Sequence, residues 1–411
     1  MTRRRVGIFL CAGALLLPAL AHAQSLPPPP AGPVEDPAET ARVRIGPLFL
    51  QPEFGLKNVG LDNNVFNDPS DPKQDWTATL NMGMLAGLRF GPSRFTVQTT
   101  TDYVWFADYK SERSIDGLTK AQFELRWPRF RPWVSYERAK THSRPSFEID
   151  ARAGRTIPTY EAGAEVKIGF RLSTRVLARR REIQYQEDET FRGVTLGDTL
   201  DADQTVGAVQ FLYEISPLSS LRVSVEGTRT TFERAPIRDS EDIAVYVGLE
   251  GKRDAGVEGN IDIGWFERAP EHDGAPAFSG VVARGSAAII LLEQVRVAFG
   301  LDRATQWSYE EFYTFYLQSG GSARVTWRPH QRFDLIATGQ YYSLDYKDSI
   351  DPRGVARTDK IYGYGGGAGF FLRGYPGTQL TLMVERAARE SVLADREYDG
   401  VRYYTQVGFS F

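Results

Sequence analysis

Cysteine is almost absent from this sequence of 411 residues, in which Cys11 is the only one. It lies in an apolar run, residues 6–20, that follows three arginines and precedes the small-x-small site Ala21-His22-Ala23. This order is typical of a secretory signal peptide, so residues 1–23 are expected to be cleaved off before Gln24. The mature chain would then have no thiol, which excludes disulfide bonds and thiolate zinc sites.

Long apolar runs and a large net charge are also missing. After the signal, no uninterrupted run reaches the ~18 apolar residues that indicate a membrane-spanning helix. The net charge is only -3, which gives no reason to expect a nucleic-acid partner. Hydrophobic residues make up 42% of the chain and the mean hydropathy is -0.35. A chain of this composition is too polar for a helical membrane protein. It suits a β-barrel, in which polar residues of the wet interior lower the overall apolar content despite an apolar outer face.

Histidine is scarce as well, and only His142, His272 and His330 follow the signal. No acyl-transfer or metal-binding pattern surrounds them, so no enzyme activity, metal or cofactor is predicted. The weaker alternative is a lipid-modifying barrel, which needs a nucleophile and a base near its outer rim. His142 and His272 lie in loops predicted to be on that side, near Ser143 and Asp273, so this alternative stays open.

What the sequence does contain is a regular alternation of apolar and polar residues with a period of two. Every even position of residues 76–90 is apolar, and so is every even position of residues 160–172. Successive side chains of a strand point to opposite faces, so each segment is predicted to be a strand with one apolar and one polar face. Residues 400–411 follow the same rule and end on Phe411, which resembles the terminal strand of bacterial outer-membrane barrels. The alternative is the last strand of a soluble β-sandwich.

Short turns and longer polar loops alternate along residues 43–411. Eight short turns and nine longer loops join eighteen strands, and an even number brings both termini to one side of the membrane. The predicted fold is an all-β transmembrane antiparallel up-and-down β-barrel of about 18 strands. Sixteen strands are the alternative, because residues 277–292 and 312–327 have the weakest patterns. Proline-rich residues 24–42 are predicted to form an extended periplasmic linker before the barrel.

The polar parity of each strand is predicted to face a wet lumen, because so many charges could not lie in a dry core. Acidic and basic side chains are balanced on this parity, which argues against strong selectivity for one sign of ion. The aromatic members would suit the C–H faces and hydroxyls of sugars, or would simply fill space. The candidate lumen-lining residues are Arg89, Arg126, Lys167, Arg171, Arg180, Glu161, Glu165, Glu182, Glu226, Glu250, Asp262, Asp302, Arg324, Tyr246, Phe266, Tyr342 and Tyr404.

Three local motifs each have two interpretations. The arginines at residues 179–181 could mark a constriction or pair with acidic side chains on neighbouring strands. The glycine cluster at residues 363–369 resembles a phosphate loop only superficially, and is interpreted as strand glycines that admit neighbouring side chains. The stretch 62–68, rich in Asp and Asn, could bind calcium but is interpreted as a turn-rich extracellular loop.

Two short patterns resemble a known family. The sequence Phe54-Gly55-Leu56, followed by Leu61-Asp62-Asn63-Asn64-Val65-Phe66, resembles the strand and Asp-x-Asn-Val turn that open members of the putative β-barrel porin 2 group. The turns around residues 171–176 and 216–223 are similar in style. The resemblance implies an outer-membrane barrel that accompanies exopolysaccharide or capsule biosynthesis and has no catalytic residues.

The leading functional hypothesis from the sequence is a passive conduit for secretion of exopolysaccharide or capsular polysaccharide. Its periplasmic end would dock on a polysaccharide-export complex, as the family resemblance implies. The alternative is a general or solute-selective diffusion porin, and a third hypothesis is a surface adhesion or structural barrel. In each case the expected surroundings are the outer-membrane lipid of a Gram-negative bacterium, with polysaccharide or small solutes as cargo.

Overall fold

The computed structural model describes Ala41 and residues 43–252, 256–346, 349–350, 354, 356–372 and 378–410. The expected signal peptide (residues 1–23) lies outside these residues. So do the expected linker (residues 24–42), apart from Ala41, and the terminal Phe411.

Eighteen long antiparallel strands form a closed barrel. Each strand pairs with the next one in the chain, and the last pairs with the first. The strands are β1 (Leu48–Asp62), β2 (Asp75–Phe90), β3 (Ser93–Phe106), β4 (Ser114–Leu125), β5 (Phe130–Ser143), β6 (Ala153–Lys167), β7 (Leu172–Tyr185), β8 (Ala202–Ser216), β9 (Ser219–Phe232), β10 (Ser240–Gly251), β11 (Val257–Pro270), β12 (Phe278–Leu291), β13 (Val295–Trp307), β14 (Phe315–His330), β15 (Phe333–Tyr346), β16 (Arg357–Phe371), β17 (Gln379–Glu390) and β18 (Tyr398–Ser410). The predicted fold and strand number are confirmed, and the two weakest patterns form β12 and β14.

The connections alternate in length, as the sequence predicts. Short links such as residues 91–92 and 217–218 lie at one end of the barrel, and longer loops such as 144–152, 186–201 and 308–314 lie at the other. In bacterial outer-membrane barrels the short turns are periplasmic and the longer loops are extracellular. By this rule the short links mark the periplasmic end of the barrel and the longer loops mark its extracellular end.

The outward face of the strands is apolar. On β2, Trp76, Leu80 and Met82 are exposed on the outside, whereas Thr77 and Thr79 are buried on the inside. A barrel strand needs about 9–11 residues to cross the hydrocarbon layer. The eighteen strands contain between 12 and 16 residues, so each strand is longer than the crossing requires, and the longer ones extend beyond the lipid by several residues.

One irregularity changes the parity of β1. Asn58 has a φ of +52°, and the register with β2 and β18 shifts at this point. Phe54 and Leu56 are exposed on the outside before the shift, and Val59 is exposed there after it. A bulge therefore keeps apolar side chains on the lipid face although the period of two is broken.

Helix is sparse in the described residues. It comprises α1 (Leu196–Leu200) and the 3-10 turns Lys110–Glu112, Pro236–Arg238 and Ala394–Arg396, all of which lie in the longer loops. None of the helices in this part of the chain has the length and apolarity needed to cross a membrane. The strand Val43–Ile45 pairs with the start of β1, and Thr190–Phe191 pairs with Val194–Thr195.

Candidate functional site

Loops from opposite sides of the barrel meet inside its extracellular end. The ring centroids of Trp307 at the end of β13 and Phe232 at the end of β9 are 4.8 Å apart. Strands β10 to β12 separate these residues in the wall, so their contact is made across the interior. Phe147 in loop 144–152 likewise contacts Tyr342 of β15, with ring centroids 4.5 Å apart. The extracellular mouth is therefore narrowed by segments that fold inward.

The tip of the β13–β14 hairpin is one of these segments. Strand β13 pairs with β12 only as far as Arg303, whereas its pairing with β14 continues to Trp307 opposite Phe315. Trp307 and Phe315 belong to a buried apolar cluster that also contains Phe232 and Leu196 of α1. Burial of these large side chains compensates for the strand pairing that is lost where the hairpin leaves the wall.

Glu148 joins the two inward-folded loops. Its carboxylate accepts a hydrogen bond from Ser308 Oγ at 2.6 Å and another from the backbone N–H of Tyr309 at 3.0 Å. Glu148 and Ser308 are both fully buried. Two hydrogen bonds to one buried carboxyl group therefore hold loop 308–314 against loop 144–152.

Three buried arginines fasten these loops to the rest of the barrel. Arg238 donates to three backbone carbonyls of loop 308–314, at 3.2, 3.0 and 3.3 Å. Arg389 of β17 donates to the carbonyl oxygen of Phe147 at 3.1 Å, and Arg396 donates to that of Glu148. The guanidinium group has five N–H donors in a rigid fork, so one side chain can satisfy several carbonyls of an irregular loop.

The contact at Glu148 is predicted to depend on pH. Burial and the nearby carboxylate of Glu310 raise the pKa of Glu148 from 4.5 to about 7, although the bonds from Ser308 and Tyr309 oppose this shift. The closed arrangement therefore binds a proton more readily than an open one with Glu148 in water. It should be most favoured below pH 4.5 and should lose up to about 3 kcal/mol as the pH rises through 7.

We therefore expect the open probability of the barrel to be higher at pH 8 than at pH 5 in single-channel recordings. Glu148→Gln keeps the shape of the side chain but cannot ionise, so its open probability should be the same at both pH values. An equal pH dependence in Glu148→Gln would show that another group is responsible. Besides Glu310, the charged or titratable groups that interact with this carboxylate are Arg238, Arg396, Tyr309, Tyr316 and Tyr346.

Below the loops, buried ion pairs form a ladder along the inner wall from β6 to β12. Acidic and basic side chains alternate along it, and the nearest charged atoms of successive members are 3.0, 3.8, 3.0, 2.8, 3.3 and 2.5 Å apart. In order, the members are Glu165, Arg175, Glu250, Arg222, Asp262, Arg284 and Glu226. Because each buried charge has an opposite neighbour, the cost of removing it from water is offset. By contrast, Gln98 on the inward parity of β3 is exposed to solvent.

Most of the candidate lumen residues lie on the inward parity of their strands. Tyr246 and Phe266 are buried there in an apolar cluster, which agrees with the space-filling interpretation. Arg126 follows β4 on the inward parity and pairs with Glu124 at 3.1 Å. The others on this parity are Arg89, Glu161, Glu165, Lys167, Glu226, Glu250, Asp262, Asp302, Arg324, Tyr342 and Tyr404.

Three candidates lie elsewhere, contrary to the sequence-based expectation. Arg180 and Glu182 share the outward parity of Val176, and the side chain of Arg180 is 57% exposed. Arg180 pairs with Asp203 on the neighbouring strand at 2.5 Å. Because β7 is longer than the hydrocarbon layer, its extracellular part can carry polar side chains on the outside. Arg171 lies in the periplasmic turn 168–171.

Arg175 and Arg179 are arginines of β7 that do face inward, and Arg175 was not among the candidates. Arg179 Nε donates to Glu161 Oε2 at 2.9 Å. Apolar and polar side chains alternate irregularly on this strand, so its parity is not evident from the sequence. The feature that could have identified Arg175 as inward-facing is its charge, which is opposite to that of Glu165 on the adjacent strand. The two residues lie directly opposite each other in the ladder.

The glycines of β16 make room for neighbouring side chains. Gly363, Gly365, Gly367 and Gly369 share the inward parity. A Cβ atom on Gly367 would lie 2.3 Å from Sδ of Met383, so the side chain of Met383 occupies this space. The structural interpretation of this glycine cluster is confirmed.

Sequence comparison assigns the barrel to a family. The family described as Putative beta-barrel porin 2 matches residues 130–411, which is more than half of the chain. The chain belongs to this family. The matched residues include β5 to β18 and therefore both inward-folded loops and the ion-pair ladder. The match supports an outer-membrane, porin-like channel and does not itself support polysaccharide export.

Solved structures share the fold of this porin family member. OpdO from Pseudomonas aeruginosa is 13% identical with a TM-score of 0.50, and the alignment covers 88% of this chain and 97% of OpdO. The outer membrane protein OpdK from the same organism is 9% identical with a TM-score of 0.50, and the alignment covers 88% of this chain and 99% of OpdK. At sequence identities this low, the similarity to these structures shows a shared fold alone. A comparison with curated proteins found no match.

Proposed function

We propose that this outer-membrane barrel is a passive, solute-selective channel for small molecules. The observation that supports this proposal is the set of loops that cross the interior and are held by Glu148, Arg238, Arg389 and Arg396. A constriction with fixed polar groups suits small solutes, which exchange water for these groups as they pass. A polysaccharide chain in transit would require the same loops to leave the interior.

Secretion of polysaccharide, the leading hypothesis from the sequence, has less support than the diffusion channel. The two functions can be separated in a deletion strain. Our proposal predicts slower uptake of small solutes and an unchanged amount of surface polysaccharide. Loss of surface polysaccharide with normal uptake of small solutes would favour secretion instead.

The channel itself is tested with purified protein in planar lipid bilayers, using Arg179→Gln and Arg180→Gln as a matched pair. Arg179 pairs inside the barrel with Glu161, whereas Arg180 lies on the outside with Asp203. Arg179→Gln leaves a carboxylate in the lumen without its cation. We therefore expect a shift of the reversal potential toward cation preference in a KCl gradient.

Arg180→Gln should leave the reversal potential unchanged, because its charge is outside the lumen. The absence of any conductance in the wild-type protein would refute the channel. A wild-type conductance that neither substitution alters would mean that Arg179 does not lie beside the ion path. Equal shifts in both variants would indicate an effect of overall charge.

A further inference from the structure

Asp302 is an inward-facing carboxylate of β13 that has no cationic partner within the described residues. Its cross-strand neighbours are Arg284 on β12 and Gly320 on β14. The guanidinium of Arg284 is already engaged in the ion-pair ladder, with Glu226 Oε2 at 3.0 Å and Asp262 Oδ2 at 3.3 Å. The carboxylate of Asp302 instead accepts a hydrogen bond from Gln318 Nε2 at 2.5 Å. Its negative charge is therefore not neutralised, although the nearby acids of the ladder are.

Three tyrosines lie near this carboxylate. Tyr342 lies opposite Gly320, and a Cβ atom on that glycine would lie 2.6 Å from Cδ1 of Tyr342. The ring of Tyr342 therefore covers Gly320. Asp302 lies directly opposite Gly320 on the other neighbouring strand, β13. Tyr246 and Tyr316 are also close enough to Asp302 to interact with it electrostatically.

Two residues that interact with Asp302 each have a buried polar atom without a hydrogen-bond partner in the described structure. These atoms are Oε1 of Gln318 and the hydroxyl of Tyr246. The amide of Gln318 already contacts Asp302 through its nitrogen, so its oxygen, which belongs to the same amide group, also lies near that carboxylate. An unsatisfied buried acceptor has a free-energy cost that a hydrogen-bond donor from a ligand would remove.

These groups together match one class of ligand. A carboxylate attracts a cation, an amide oxygen accepts its N–H, and aromatic faces stabilise positive charge within about 6 Å of the ring centre. We propose that Asp302, Gln318 and Tyr342 bind the ammonium group of a small organic cation inside the lumen. This binding proposal rests on the proposed channel function, because the bound cation would be the kind of solute that the channel selects.

The position of the site relative to the loops agrees with this role. Phe147 of loop 144–152 packs on Tyr342, so the constriction lies directly next to Asp302. Asp302 itself retains partial exposure to solvent, whereas Tyr316 is fully buried. A solute that passes the constriction would therefore meet an accessible carboxylate held against aromatic side chains.

The test uses n-propylammonium chloride as the probe, with sodium propionate as the anionic comparison. In planar bilayers, propylammonium should reduce the single-channel current of the wild-type protein, and propionate should not. Asp302→Asn should raise the half-blocking concentration by roughly tenfold or more, as expected for the loss of a hydrogen bond to a charged group. The mobility of unheated samples in SDS gels verifies that each variant forms the barrel.

Asp102→Asn is the matched control. Asp102 also faces inward, on β3, but it already interacts with Asn81 Nδ2 at 2.5 Å and Lys57 Nζ at 3.8 Å. Its loss removes the same charge from the lumen without touching the tyrosines, so the block by propylammonium should stay close to that of the wild type. An equal weakening in both variants would mean that only total lumen charge matters, and would overturn the site.

Calorimetric titration of the detergent-solubilised protein with propylammonium separates failure of the site from failure of the channel. If the wild type conducts KCl but propylammonium acts equally on wild type and Asp302→Asn, the site is wrong and the channel stands. If the wild type does not conduct, the channel proposal fails and the titration decides about the site. Binding heat that is present in the wild type and lost in Asp302→Asn would support it, and no heat in the wild type would refute it.

Discussion

Replacing loop 308–314 with the two residues Asn-Gly should raise the single-channel conductance several-fold. Trp307 and Phe315 lie directly opposite each other in the β13–β14 ladder, so a two-residue turn can join them without changing the register. The replacement removes Ser308 and Tyr309, which bind Glu148, and the carbonyls that bind Arg238. With these bonds absent, one side of the constriction is lost.

The control for this change is the same replacement of loop 271–277. That loop is also extracellular, but residues 271–274 are exposed to solvent and it takes no part in the buried loop clusters. Its replacement should leave the conductance unchanged. An unchanged conductance after replacement of loop 308–314 would show that ions reach the lumen by a path that this loop does not narrow.

Arg222→Ala should lower the free energy of unfolding by about 3–5 kcal/mol, because it leaves buried carboxylates without their cation. Arg222 is 2% exposed and Asp262 is 1% exposed, and their charged atoms are 2.8 Å apart. Arg222 also pairs with Glu250 at 3.0 Å, so the substitution interrupts the ladder in its middle. Urea-induced unfolding in phospholipid vesicles, followed by tryptophan fluorescence, measures this difference.

Arg180→Ala is the matched control on the outer face of the barrel. Its pair with Asp203 is largely exposed, and such surface pairs contribute about 0–1 kcal/mol. Its unfolding curve should therefore nearly coincide with that of the wild type. If Arg222→Ala had an equally small effect, water would have to solvate the ladder acids readily, and their pairing with Arg222 would contribute little to stability.

Several features could not be predicted from local pattern alone. The outward position of Arg180 depends on where β7 rises above the lipid, and the inward position of Arg175 is obscured by apolar neighbours on the same parity. The role of Glu148 had no sequence signal at all. A loop residue acquires such a role only through contacts with segments that are distant in the chain, here Ser308 and Arg396.

The alternation of apolar and polar residues by itself determined the class of this protein. A period of two places one side chain in lipid and the next in the interior, and alternating turn lengths return the chain eighteen times through the membrane. Only the tertiary structure decided which loops enter the barrel, which charges neutralise each other and that Asp302 has no cationic partner among the described residues. These outcomes depend on distances between strands and loops far apart in sequence, and a periodic pattern contains no information about such distances.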